Sequence, residues 1–106
     1  MAIFTRGLVE QTALADAVRQ AAERLAPAVV RITYSVGEDS SGDPSILFRI
    51  VLTDSASAEA TLAGVTREII RTLDEEIQPR EQWGLLPYFR FRSESELALL
   101  QDPDWA

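Results

Sequence analysis

Four residue types are missing from this 106-residue chain: cysteine, histidine, lysine and asparagine. Without cysteine there is no disulfide and no thiolate nucleophile. Without histidine there is no imidazole zinc site and no imidazole general base. A metal would have to be a hard cation held by carboxylates, such as Mg²⁺. The missing disulfides fit a reducing cytosol. All ten positive charges are arginine, which we read as the mark of a GC-rich, bacterial coding sequence. Positive charge is also scarce: the formal net charge is −7, so the overall basic footprint of a nucleic-acid binder is absent. No apolar run approaches the ~20 residues of a membrane span. The N-terminal MAIFTRGLVE lacks the layout of a signal peptide. A soluble, cytoplasmic protein is expected.

What is present is globular. Hydrophobic residues make up 46% and charged residues 25%, the values of a folded domain, and the length suits one domain. Residues 1–7 and 101–106 are expected to be loosely ordered, with Trp105 either docked on the core or free. Leu14, Val18, Ala21 and Leu25 step by three or four and predict a helix over 8–25, stopped by Pro27. Residues 29–36 alternate as a half-buried strand. Gly37 to Pro44 reads as an eight-residue loop, longer than a tight hairpin needs. Residues 46–53 form a second strand whose two apolar faces suggest a central position.

Asp54, Ser55 and Ser57 offer N-caps for a second long helix over 58–77, with Leu62, Val65, Ile69, Leu73 and Ile77 inward. A loop over 81–87 carries Trp83. Tyr88 to Arg92 reads as a third strand with Phe89 and Phe91 inward. Ser93 and Glu96 fit a capping box opening a short helix over 94–100. The predicted class is α+β: a single α-β-β-α-β-α domain, with a small mixed sheet and two long helices on one face.

Two features invite chemistry. The loop residues Gly37, Glu38, Asp39, Gly42 and Asp43, with Asp54 beyond the second strand, offer carboxylates for Mg²⁺. Acidic residues also serve turns by bonding their own backbone. Gly37-x-x-x-x-Gly42 lacks the lysine of a P-loop. The second feature is an arginine face. With Phe89 and Phe91 inward, Arg31, Arg49, Arg90 and Arg92 point away from the helices, able to clamp phosphate or a partner's carboxylates. They equally suit an open sheet face kept polar by pairing with Thr, Ser or Glu94. Trp83 and Tyr88 are candidate partner anchors, or aromatics closing the core rim.

The layout around Tyr34-Ser35-Val36-Gly37 and Gly42-Asp43, flanked by a helix and a second long helix, resembles the minimal nucleotidyltransferases. These small bacterial proteins are often encoded beside HEPN-domain partners. The resemblance implies a metal-binding Asp-x-Asp strand and a further aspartate on the third strand. Here residues 46–52 contain no aspartate, and Arg90 and Arg92 occupy the third strand. With those carboxylates absent, no catalytic residue, metal or cofactor is assigned. The expected function is a non-catalytic protein-interaction module, an antitoxin-like partner of a HEPN-type ribonuclease. Self-association is compatible with it. The alternatives are a KH-like RNA-binding module on the arginine face, which PYFRFRSESE resembles without the Gly-x-x-Gly loop, and a Mg²⁺-dependent nucleotidyltransferase.

Overall fold

Alanine-rich sequence favours helix because alanine loses least on entering one. Helix α1 runs Ile3–Leu25 and buries Leu14, Val18, Ala21 and Leu25 as one stripe. The computed structural model describes residues 3–105, with side chains from residue 11 onward. Residues 3–7, expected to be loose, therefore belong to α1; Met1, Ala2 and Ala106 lie outside the described residues.

After the turn at Pro27 come β1 (Val29–Glu38) and β2 (Pro44–Leu52), then α2 (Glu59–Ile77), α3 (Pro79–Trp83), β3 (Leu86–Ser93), α4 (Glu94–Leu100) and a 3₁₀ turn (Pro103–Trp105). The domain is α+β. Its mixed sheet has the order β1-β2-β3, antiparallel between β1 and β2 and parallel between β2 and β3.

The two-sided apolarity of β2 does place it at the centre. Ile46, Phe48, Ile50 and Leu52 are fully buried on the helix side, and Val51 is buried on the other. Phe89 and Phe91 are half-buried against the same core, as their alternation predicts. Phe48 and Phe89 stack at 5.5 Å between ring centroids and 18° between planes, a geometry that adds to simple area burial. Ile69, Leu73 and Ile77 close the core from α2.

Three local expectations fail for identifiable reasons. The eight-residue loop is a tight hairpin instead. Pairing continues through Gly37↔Ser45 and Glu38↔Pro44. Asp39 N–H donates to the Asp43 carbonyl, and Gly42 N–H to that of Asp39. Gly42 sits at φ 83, the left-handed conformation that lets the turn close.

The second failure lies just after α2. Residues 79–83 form the short helix α3, opened by Pro79 at the position where a missing N–H costs nothing. Third, neither Asp54 nor either serine caps α2. Its N-cap is Ala58, with no side-chain cap. Asp54 instead reaches across to α4, accepting from Ser95 N–H at 3.1 Å and Ser95 Oγ at 2.5 Å. These bonds hold its carboxyl below the usual aspartate range. The capping box at α4 is as expected: Ser93 Oγ accepts from Glu96 N–H, and Glu96 Oε1 from Ser93 N–H.

Candidate functional site

Strand alternation sends every second side chain away from the helices, and the pairing register aligns those side chains into rows. The first row is Arg31, Val51 and Arg92. The second is Thr33, Arg49 and Arg90. The third is Ser35, Leu47 and Tyr88. All four arginines of the predicted face thus share one side of the sheet.

They do not share one fate. The chain end folds back over the first row as a strap. Arg31 Nη2 donates to the Trp105 carbonyl at 2.5 Å. Arg92 meets Asp102 at 3.6 Å, and its guanidinium lies 4.9 Å from the centre of the Trp105 ring. A guanidinium over an indole face is an attractive pairing. Trp105 is 2% exposed and Val51, between the two arginines, 3%. The tail expected to be loose is therefore pinned. Glu94, an expected arginine partner, makes none of these bonds. A bulky aromatic ending an acidic tail, in a chain with an arginine-bearing strand, is the signal by which this contact was findable.

The second row stays open. Arg49 and Arg90 are direct register neighbours on parallel strands. Neither has a carboxylate within salt-bridge distance among the described residues, while Arg19, Arg24, Arg71 and Arg92 do. Arg49 Nη1 makes one long contact, 3.4 Å to Ser35 Oγ, and its Nε is buried without an acceptor. Like charges placed opposite each other on a sheet are destabilising. Among the described residues Arg31, Arg67 and Arg80 lack a carboxylate too, but Arg49 and Arg90 are direct register neighbours, so here two like charges lie side by side uncompensated.

The third row is a wall beside them. Tyr88 is 45% exposed, and its hydroxyl donates to Asp39 Oδ2 at 2.7 Å. Asp39 Oδ1 accepts from Ser41 and Asp43 N–H at 2.9 and 3.0 Å. The hairpin turn therefore holds the ring in place. A cleft of about 470 Å³ lies here, lined by Ser35, Gly37, Ser45, Leu47, Tyr88 and Arg90 among others.

The Tyr88 hydrogen bond, with the turn N–H groups behind it, lowers the Asp39 pKa; the same bond raises that of Tyr88. The tether's contribution is present above the ordinary aspartate range and fades as pH falls through the lowered Asp39 value. It is equally present below the ordinary phenol range and fades as pH rises through the raised Tyr88 value. In a Tyr34→Phe background, ultraviolet titration will therefore place the remaining tyrosine above pH 10, the ordinary phenol value, and Asp39→Asn will bring it back down. A Tyr88 midpoint unmoved by Asp39→Asn would contradict the tether.

Other sequence-predicted residues sit elsewhere. Trp83, on α3, is half-buried against the core, the placement of an aromatic at the core rim and away from the arginine rows. Gly37 and Glu38 belong to β1, and Gly42 and Asp43 shape the turn. Glu38, Asp39 and Asp43 lie at one end of β2 and Asp54 at the other, ~30 Å apart by strand rise, so the four carboxylates do not converge. No group of three or more potential metal-ligating side chains occurs among the described residues. No described helix is long and apolar enough to cross a membrane. Comparison with protein-family models, with curated proteins and with solved structures finds no match.

Proposed function

We propose that this protein is a non-catalytic protein-interaction module of the bacterial cytoplasm that docks a second protein on the open half of its sheet. The observation that carries the reading is the adjacent, uncompensated Arg49–Arg90 pair beside a preset aromatic wall. Its acidic surface steers the chain toward a basic partner, while the arginine pair sets register by accepting a partner carboxylate. The resemblance to minimal nucleotidyltransferases supplies the first partner to test: a HEPN-type ribonuclease from a neighbouring gene, restrained as a toxin is by its antitoxin.

Co-expression followed by pull-down tests this. The partner will copurify with the wild-type chain and with Arg67→Glu, an exposed control on α2. It will be lost with Arg49→Glu combined with Arg90→Glu, and toxicity will return. No complex with the wild type, or a complex indifferent to the double reversal, would sink the proposal.

The observation behind the KH-like RNA-binding alternative is the pair of adjacent arginines on the open sheet face, which could take phosphates. Against it, the strap occupies Arg31 and Arg92, leaving two free arginines on the face. Backbone binding scales with the number of phosphates neutralised. RNA binding at low salt that weakens in Arg49→Ala with Arg90→Ala would support the alternative; no binding at low salt would remove it.

A further inference from the structure

The geometry points to the class of segment that the open half takes: a short extended stretch of a partner protein with a carboxylate and, two residues on, an apolar side chain. This rests on the protein-interaction reading above and specifies its ligand. The chain already answers the first row in related chemistry. Asp102 brings a carboxylate to Arg92, the Trp105 carbonyl accepts from Arg31, and the indole packs under the guanidinium.

The neighbouring row repeats the demand without an answer. Arg49 and Arg90 lie side by side with no carboxylate near either; a buried nitrogen without an acceptor occurs in both rows, Arg49 Nε here and Arg92 Nη1 in the first, so the missing carboxylate is what separates them. One row further along the strands, Leu47 is half-buried between Ser35 and Tyr88. Successive residues on one strand face are about 6.6 Å apart, which is also the i to i+2 step of an extended peptide. A carboxylate over Arg49 and Arg90 thus places the side chain two positions on over Leu47, against the Tyr88 ring. That ring is already held by Asp39, so little order is lost on binding.

The far end of the cleft limits how much negative charge the segment can carry. Glu38 and Asp39 line it, so a second acidic group beyond the apolar side chain meets repulsion. A strand of evenly spaced phosphates would meet the same obstacle. One acid followed by one apolar residue fits the charge pattern; a polyanion does not.

The probe is a fluorescein-labelled hexapeptide with aspartate at its third position, leucine at its fifth, and glycine or serine elsewhere. One control carries asparagine at the third position, and another serine at the fifth. Fluorescence anisotropy on the full chain at low salt will show the aspartate peptide binding roughly ten-fold or more tighter than its asparagine control. Arg49→Gln with Arg90→Gln will erase that preference, and Leu47→Ser will erase the preference for leucine. Both changes sit on the solvent side of the sheet, and circular dichroism melts report whether the fold is kept. Should either fail to fold, Arg90→Gln alone, at an exposed position, carries the test. Equal binding of the aspartate and asparagine peptides, or a preference that survives the arginine changes, overturns the inference. If partner capture is nonetheless lost on charge reversal, the protein-interaction reading stands and only the extended-segment ligand falls. If the peptide preference holds but no partner is captured, the ligand class stands without that partner.

Discussion

Phe48→Ala will destabilise the fold by about 3–5 kcal/mol, the usual cost of removing a fully buried aromatic from a core. Three circumstances place it at the upper end of that range. Phe48 sits mid-way along the central strand, where both neighbours are hydrogen-bonded. It stacks on Phe89, so the pair's ring interaction goes with it. It also lies beneath α1 and α2, whose helices cannot collapse far into the gap without dragging the sheet. A domain of this size is stable by roughly 5–15 kcal/mol in total. The loss therefore translates into a fall in Tm on the order of 15–30 °C, read by circular dichroism. Phe48→Leu will return more than half of the loss, because most of the volume comes back. A cost below about 1 kcal/mol for Phe48→Ala would mean that the core is not centred on this side chain.

Trp105→Ala is the second large effect, and it reads out twice. Stability will fall by about 1.5–3 kcal/mol, less than the ~3–5 kcal/mol usual for truncating a core tryptophan to alanine, because the short 3₁₀ segment regains freedom when it is released. Urea titration followed by circular dichroism measures it. The second readout is electrostatic. Without the indole, the strap loses its grip, and Arg31 and Arg92 lose their carbonyl, carboxylate and ring partners. The open face then carries four free guanidiniums in place of two. Trp105→Ala will elute from an immobilised polyanion at higher salt than the wild type. An unchanged elution together with unchanged stability would show that the strap does not cover this face.

The features that the sequence foretold share a short range. Leu14, Val18, Ala21 and Leu25 announce α1 by spacing, and Ser93 with Glu96 announces α4 by a cap three residues long. The central place of β2 is legible because a strand covered on two sides has two apolar faces. The arginine rows follow from alternation once Phe89 and Phe91 point inward. What was missed depends on partners distant along the chain or on backbone geometry. The tail has no period, and its placement comes from Arg31 and Arg92 far upstream. Asp54 looks like a cap for the helix that follows it, yet it bonds Ser95 on α4. The hairpin looked long because Gly37 and Pro44 read as breakers. Gly42 takes the positive φ that lets the turn close, and the flanking residues are then free to pair. Five residues of α3 are too few to show helical periodicity.

The parallel join between β2 and β3 bears on the order in which the molecule assembles. β1 and β2 are neighbours in sequence and can pair early, since closing the five-residue connection over 39–43 is entropically cheap. That hairpin contains Arg31 and Arg49 but not Arg90. β3 reaches β2 only after α2 and α3 have carried the chain across the sheet. The Arg49–Arg90 pair therefore exists only where β3 is paired with β2. A ligand that needs both guanidiniums distinguishes molecules in which β3 has docked from those holding only the β1–β2 hairpin, and by binding the former it stabilises them by mass action.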